Sequence, residues 1–222
     1  QTLRGHKGPV CAVRFAPDAQ RLYSASRDGT LCVWDPRGGA LVRVLLEQPD
    51  PFTALDISPD GALLLVGSGA GRVELRAAAD GHVLQACAAQ EQDITCVAFN
   101  GDGSRALSAS RDGTIVVWDV DALTPRWTLR GHENVVTMAT FSLDGSRIAS
   151  VSYDRTLRVW DADTALAMLV LRSHDDYAWT ALFSADGERL ISTDKHLRIW
   201  DTLPPSEDLV ARRAARQAAE RV

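Results

Sequence analysis

A chain of 222 residues with 24% charged residues has the size and composition of one globular unit that buries a substantial apolar core. Its formal net charge of -5 argues against a nucleic-acid binder that works by neutralising phosphates. No apolar run approaches the roughly 18 residues that span a bilayer, so we expect no membrane insertion. The first residue is Gln1 and not Met, and we expect the chain to be a segment of a longer protein.

The predicted strands recur in chain order with a period of about 42 residues. Each unit begins with an apolar strand that ends at one of five residues: Phe15, Ile57, Phe99, Phe141 and Phe183. A polar turn, a second strand, a tight turn such as Arg27-Asp28-Gly29, a third strand and a fourth strand follow. Four short strands in about 42 residues are typical of a propeller blade.

The third strand of four units ends in Trp-Asp, and the second unit departs from this pattern. The tryptophans are Trp34, Trp118, Trp160 and Trp200. The spacing predicts five units, at about 5–46, 47–88, 89–130, 131–172 and 173–201. The second unit has Gln48, Ala70 and Arg76 where His, Asp and Trp belong, so we expect it to lack their network. The fifth is two residues shorter and places Leu190 at the Ser position, which leaves open whether Ser192 substitutes.

The recurring motifs resemble those of the WD-repeat family. They are Gly-His at Gly5 and Gly131, the Ser-x-Ser-x-Asp-x-Thr segments that begin at Ser24, Ser108 and Ser150, and Trp-Asp at the unit ends. The resemblance covers about residues 1–201. It implies an all-β propeller of four-stranded antiparallel blades, here five in a partial or open ring, that binds proteins or peptides.

The repeated polar residues predict a structural network and not an active site. A catalytic constellation occurs once per site, whereas His, Ser, Asp and Trp are copied here along the chain. We expect each set to close a chain of hydrogen bonds within its blade, a role that the resemblance also implies. The residues are His6, Ser24, Asp28, Trp34, Ser108, Asp112, Trp118, His132, Ser150, Asp154, Trp160, His174, Asp194 and Trp200. The third unit has Gln90 in the His place.

The resemblance places partner contacts on the tops of the blades, around the central channel. Carried over to this sequence, it points to Tyr153, Tyr177 and Trp179 on neighbouring blades, flanked by Arg27 and Arg111. Because Trp, Tyr and Arg are enriched in binding hot spots, we predict a recognition patch suited to an acidic or phosphorylated peptide. The alternative is that Trp179 packs between blades and the arginines only cap turns.

Both ends of the chain leave the repeat pattern. We expect residues 1–4 to be the outer strand of a preceding blade, or to pair with the fifth blade and close the ring. Pro204-Pro205 ends the sheet, and Ser206 precedes an Ala- and Arg-rich run. Residues 202–222 therefore predict a short C-terminal helix, a linker or tail. Similar tails follow repeat arrays in some large bacterial multidomain proteins.

The four cysteines predict buried free thiols. Cys11, Cys32, Cys87 and Cys96 show no Cys-x-x-Cys spacing and stand among Val and Ala on predicted strands. This usage suits a reducing compartment, so we expect a cytoplasmic location. We expect no metal and no cofactor.

The leading interpretation is a non-catalytic scaffold that binds proteins or peptides. One alternative is a structural segment that completes a ring by self-association or with further blades of the parent chain. Another is a regulatory module of a larger signalling enzyme. An enzyme that uses the central channel is disfavoured, since no cluster of His or carboxylates stands outside the repeat positions.

Overall fold

Five antiparallel sheets follow one another along the chain. The structure is a computed structural model and describes residues 2–88, 90–172 and 174–202. In these ranges, four sheets have four strands and the last has three. The prediction of an all-β array of propeller blades in an open ring is confirmed. The predicted C-terminal helix lies outside the described residues.

Each sheet is one blade, and its strands pair in sequence order. Blade one contains β1 (Val10–Phe15), β2 (Leu22–Ser26), β3 (Thr30–Asp35) and β4 (Ala40–Glu47). Blade two contains β5 (Phe52–Ile57), β6 (Leu63–Ser68), β7 (Arg72–Ala77) and β8 (Val83–Ala88). Blade three contains β9 (Ile94–Phe99), β10 (Arg105–Ser110), β11 (Ile115–Asp119) and β12 (Thr124–Leu129). Blade four contains β13 (Val136–Phe141), β14 (Arg147–Ser152), β15 (Leu157–Asp161) and β16 (Ala167–Leu171). Blade five contains β17 (Thr180–Phe183), β18 (Arg189–Thr193) and β19 (Leu197–Asp201).

The turn between the second and third strands requires glycine in blade one. Gly29 has a φ of +82°, a conformation that residues with a Cβ rarely adopt. A Cβ at this position would lie 1.8 Å from the carbonyl oxygen of Gln48, which is far inside van der Waals contact. The Asp-Gly signal in the sequence therefore reflects both the turn and the close passage of the next segment.

The first strands of blades one to four each contain a register shift at the same place. The residue that the pairing skips is the second of the strand, as between Phe52 and Ala54 in β5. The four skipped residues are Cys11, Thr53, Thr95 and Thr137. A bulge redirects the side chain it contains. Three of these side chains, those of Thr53, Thr95 and Thr137, line the opening described below.

The apolar core lies between successive blades. The first strands contact one another in chain order, β1 with β5, β5 with β9, β9 with β13 and β13 with β17. Between blades two and three, for example, Leu65 and Val73 form one cluster with Ile94, Val97 and Trp118. Each interior blade therefore buries one face against the blade before it and the other against the blade after it.

The two end blades have outward faces that no other described blade covers. Phe15 of blade one is 59% exposed, whereas Phe99 at the same position of blade three is 9% exposed. Ile199 of blade five is 60% exposed, whereas Val159 at the same position of blade four is fully buried. The array is therefore an open arc with an apolar face at each end.

Among the described residues, the segment that precedes blade one shares no sheet with blade five. Residues 2–9 form no strand, and Leu3 packs instead against Leu22, Cys32 and Trp34 of blade one. Within the described ranges β19 pairs with β18 alone. For the described residues 2–4, the predicted pairing with the fifth blade is thus not seen. None of the described residues belongs to a helix that could cross a membrane.

Candidate functional site

Blade four shows the complete side-chain network. The indole Nε1 of Trp160 donates to Ser150 Oγ at 2.8 Å, and Ser150 Oγ lies 2.8 Å from His132 Nε2. His132 Nδ1 lies 2.8 Å from Asp154 Oδ2. Because an ionised carboxylate only accepts hydrogen bonds, His132 carries its proton on Nδ1 and Ser150 donates to Nε2. The four side chains form one continuous donor-to-acceptor chain.

The charge states in blade four follow from burial and hydrogen bonding. Burial lowers the pKa of His132, and the neighbouring Asp154 only partly opposes this. Burial raises the pKa of Asp154, but hydrogen bonds from His132 and Thr156 outweigh it and hold that pKa well below its usual range. At neutral pH the pair is a neutral imidazole and a carboxylate.

The carboxylate of Asp154 also binds two backbone amides, one before β13 and one in its own turn. It accepts hydrogen bonds from the amides of Glu133 at 3.0 Å and Thr156 at 2.8 Å. The hydroxyl of Thr156 donates to it at 2.7 Å. The segment that enters β13 is thereby fixed to the turn between β14 and β15.

Blade one has the same network with one extra link. Trp34 Nε1 donates to Ser24 Oγ at 2.7 Å, which lies 2.6 Å from His6 Nε2. His6 Nδ1 lies 2.7 Å from Thr30 Oγ1, and that hydroxyl donates to Asp28. Burial raises the pKa of Asp28, but hydrogen bonds from Thr30 and the Lys7 amide hold it well below its usual range.

Blade three builds the network with Gln90 in place of histidine. Ser108 Oγ donates to Gln90 Oε1 at 2.7 Å, and Trp118 Nε1 donates to Ser108 at 3.1 Å. Gln90 Nε2 donates to Thr114 Oγ1 at 2.9 Å, and that hydroxyl donates to Asp112 at 2.6 Å. An amide has one acceptor and one donor group, so it joins the same partners as a neutral imidazole without a titrating proton.

Blade five uses Ser192, which settles the question that the shortened repeat left open. Trp200 Nε1 donates to Ser192 Oγ at 2.7 Å, and this hydroxyl lies 2.9 Å from His174 Nε2. Leu190 is a buried core residue instead. Burial lowers the pKa of His174, with Asp194 opposing. Burial raises the pKa of Asp194, but the Arg198 guanidinium outweighs it and keeps that pKa well below its usual range.

One group of side chains in blade five has the residue types of a metal site. Ligand atoms of Asp175, Asp194 and His196 lie within 4.8 Å of one another. The guanidinium of Arg198 already bonds both carboxylates, Asp194 at 2.5 Å and Asp175 at 2.7 Å. The positive charge that these carboxylates require is thus supplied by the protein itself.

Blade two replaces the network with a buried ion pair. Arg76, in the Trp position, donates from Nε to Glu74 Oε2 at 2.8 Å and from Nη1 to the carbonyl of Gly81 at 2.8 Å. The other oxygen of Glu74 lies 2.8 Å from Arg72 Nε. As expected from the sequence, the described residues of blade two form no network of His, Asp and Trp. The polar contacts that stand in their place were not predicted.

The sequence did not assign several network members, although Gln90, Ser192 and Arg76 stood out as departures from the repeat. The unassigned members are the threonines Thr30, Thr114 and Thr156, the substitutes Gln90 and Ser192, and the pair Glu74 and Arg76. A signal for the threonines was present, since Thr follows the turn Asp by two residues in three repeats. The other four replace a residue type or shift its position.

The predicted partner-binding residues meet at an opening on the top of the array. A cavity of about 200 Å³ is lined by Arg27, Thr53, Asp93, Ile94, Thr95, Arg111, Val135, Thr137, Tyr153 and Trp179. The rings of Tyr153 and Tyr177 stack with centroids 4.4 Å apart. The ring of Trp179 meets Tyr153 edge-on at 5.2 Å. Four of the five predicted residues thus line the opening, and Tyr177 lies directly beside it.

Repeated backbone hydrogen bonds hold these side chains in place. The amides of Arg27, Arg111 and Tyr153, each just before a turn Asp, donate to a carbonyl that precedes the first strand of the blade. The distances are 2.9 Å to Pro9, 3.0 Å to Asp93 and 2.9 Å to Val135. The Trp179 amide donates to Thr193 at 2.8 Å. Trp179 itself is 51% exposed, so its indole is not packed away between blades.

Comparison with known proteins identifies related sequences. The family model described as WD domain, G-beta repeat matches residues 1–35, 80–119, 123–161 and 167–201, more than half of the chain. An uncharacterized WD repeat-containing protein of Synechocystis is 33% identical over 69 residues, 31% of this chain and 20% of that protein. The guanine nucleotide-binding protein subunit beta of Oryza sativa subsp. indica is 35% identical over 78 residues, which are 32% of this chain and 20% of that protein.

A third relative is Protein groucho of Drosophila melanogaster, 38% identical over 60 residues, 27% of this chain and 8% of that protein. The matched segments thus span a fifth or less of the length of these relatives. The family model does not match residues 36–79, which contain most of blade two. Blade two nevertheless has the same four-strand architecture as its neighbours.

Proposed function

Since this chain belongs to the WD-repeat family, we propose that it is a non-catalytic scaffold that binds a protein or peptide through the opening at the blade tops. One observation carries the proposal. Tyr153 contacts both Tyr177 and Trp179. Tyr153 and Trp179 line one opening together with Arg27 and Arg111. Exposed Trp, Tyr and Arg held on rigid supports have the composition of an interaction hot spot.

The geometry of the repeated Ser residues supports a non-catalytic role for them. Ser24, Ser108, Ser150 and Ser192 are all buried, so a substrate has no access to their hydroxyls. Each of these hydroxyls also accepts a hydrogen bond from an indole N–H. A nucleophile must reach its substrate from an exposed position, and these hydroxyls are committed to the fold.

Selection from a displayed random peptide library tests the proposal. We expect the wild-type chain to enrich peptides, and the Trp179→Ala and Tyr177→Ala variants to bind the enriched peptides at least tenfold more weakly. Trp127→Ala is the matched control, because Trp127 is also exposed but lies on the outer strand β12. Undiminished binding by Trp179→Ala would exclude the blade-top opening as the binding site.

A second candidate function is assembly through the end faces of the array. The apolar surface around Phe15 on blade one and Ile199 on blade five is of the kind that successive blades bury against each other. Such faces favour contact with a second copy or with further blades. Sedimentation at rising concentration tests this function, with weaker association expected for Phe15→Lys. A monomer at every concentration would argue against self-association.

A further inference from the structure

We propose that the blade-top opening selects peptides in which an oxyanion, a carboxylate or a phosphate, stands close to an aromatic or large aliphatic side chain. The proposal rests on the proposed function and names the chemistry of the ligand. Four features of the opening carry it: two guanidiniums and one hydroxyl that have no partner among the described residues, an aromatic wall and the order of these groups around the rim.

The guanidiniums of Arg27 and Arg111 are available for a ligand. Both side chains are exposed and line the opening, and neither forms an ion pair or a side-chain hydrogen bond with any residue that the structure describes. Several other arginines are engaged, as Arg76 is with Glu74 and Arg198 is with Asp194. A guanidinium binds carboxylates and phosphates through paired N–H donors, so two of them facing one opening favour an anion.

The hydroxyl of Thr53 adds a hydrogen-bond donor to the same wall. Thr95 and Thr137, at the same position of the next two blades, donate to the carbonyls of Val136 and Ala178 in the following blade. Thr53 Oγ1 is buried and has no partner among the described residues. Leaving a buried hydroxyl unpaired is costly, so a ligand oxygen that reaches Thr53 Oγ1 from the opening would remove that cost.

The aromatic groups occupy the other part of the rim. Arg27 comes from blade one, Thr53 from blade two and Arg111 from blade three, whereas Tyr153 and Trp179 come from blades four and five. Smaller residues stand at the Trp179 position in the other blades, so only blade five projects an indole there. A ligand that contacts both the arginines and the aromatic rings must carry an anionic group close to an apolar group.

One acidic residue, Asp93, also lines the opening, and it defines the competing ligand. Its carboxylate would favour a cationic side chain, which the aromatic rings of Tyr153 and Trp179 could also receive. Against it stand two guanidiniums, so the charged lining is net positive. The charges therefore favour the anionic ligand, and a Lys-bearing peptide is the alternative that the experiment must exclude.

Four fluorescent peptides that differ at one position test the inference. Each is a Gly-Ala heptamer with one Phe, and the variable position two residues before Phe holds Glu, phosphoserine, Gln or Lys. We expect the Glu or the phosphoserine peptide to bind the wild-type chain at least tenfold more tightly than the Gln peptide. The Arg27→Gln, Arg111→Gln double variant should lose this preference. The Arg21→Gln, Arg172→Gln double variant, which changes two exposed arginines outside the opening, should keep it.

The outcomes separate this inference from the proposed function. Equal binding of Glu, phosphoserine and Gln peptides, preference for Lys, or a preference that survives in the Arg27→Gln, Arg111→Gln variant would each overturn the inference. If Trp179→Ala also weakens all four peptides, the proposed function stands without it. A preference for phosphoserine over Glu assigns the oxyanion to a phosphate, a preference for Glu assigns it to a carboxylate, and similar affinities show that the opening accepts both. Absence of binding by all four peptides overturns the inference, and the library selection then decides the function independently.

Discussion

Blades two and four have the same strand order but different polar interiors. In blade four, Trp160, Ser150, His132 and Asp154 form a chain of neutral and charged hydrogen bonds. In blade two, a buried Arg76–Glu74 pair takes the place of that chain. Both blades pack between two neighbours and keep these buried polar groups partnered, so the blade tolerates a different residue set as long as these two conditions hold.

The two solutions should respond differently to mutation. A hydrogen-bond network of mostly neutral groups loses only the bonds of the member that is removed. A buried ion pair leaves an uncompensated charge when one partner is removed, and can be replaced as a whole at little cost. The predictions below test this difference, beginning with the largest effect.

We expect the largest effect from Glu74→Ala in blade two. The substitution leaves the buried guanidinium of Arg76 without its carboxylate, which typically costs about 3 to 5 kcal/mol of unfolding free energy. Urea unfolding followed by circular dichroism measures it. The double variant Glu74→Leu, Arg76→Met, which removes both charges, should recover most of the loss. A double variant as unstable as the sum of its single changes would contradict the view that the pair acts as a unit.

Asp154→Ala in blade four should have the next largest effect, about 3 kcal/mol. It removes the acceptor of His132 Nδ1, of the Thr156 hydroxyl and of two backbone amides. Thermal unfolding measures the loss. Asp163→Ala is the control, because the Asp163 carboxylate is exposed and makes only a surface ion pair with Arg105. Equal effects of the two substitutions would remove Asp154 from the structural network.

The pH dependence of stability should separate blade four from blade three. Burial lowers the pKa of His132 in the folded state, whereas His in the unfolded chain protonates near pH 6.5. The unfolded state therefore binds more protons as the pH falls, and the folded state loses stability between pH 7 and pH 5. His132→Gln, which introduces the residue that blade three has as Gln90, should reduce this loss by about 1 kcal/mol.

Unfolding in urea at pH 7, 6 and 5 measures the change. His82→Gln provides the control, since His82 is exposed and lies outside the networks. An unchanged pH dependence in His132→Gln would show that folding does not lower the pKa of this imidazole.

The smallest expected difference concerns two threonines at the same blade position. Thr137 Oγ1 in blade four donates to Ala178 O at 2.7 Å, so Thr137→Val should cost about 1 kcal/mol. Thr53 Oγ1 in blade two is buried without a partner among the described residues, so Thr53→Val should be neutral or slightly stabilising. Melting temperatures of the two variants provide the test, and equal destabilisation would contradict the assigned hydrogen bonding.

The fold was predictable from the sequence because the information is repeated. The period, the turn residues and the alternating apolar residues recur in every unit, so blade two could be assigned even though Arg76 replaces its Trp. The polar interiors were predictable only where the residue type is kept. Ser192 lies eight residues before Trp200 instead of ten, and only the strand pairing shows that it takes the Ser place.

The candidate site was partly predictable for a related reason. Fixed positions within each repeat placed Tyr153, Tyr177 and Trp179 on the blade tops. That Tyr153 stacks on Tyr177 of the next blade depends on how blades four and five pack, which no local pattern encodes. The unpaired hydroxyl of Thr53 depends likewise on the position of a carbonyl in its neighbour.

The outward face of blade five, which no other described blade covers, couples ligand binding to the folding of that blade. In a linear array each blade is stabilised by its neighbours, and blade five has only one in the described chain. Its strands should therefore open at a lower free energy than those of the interior blades. A ligand that contacts both Tyr153 and Trp179 would bridge blades four and five and would stabilise the closed arrangement by mass action. The concentration of such a ligand would therefore control the fraction of molecules in which blade five is folded.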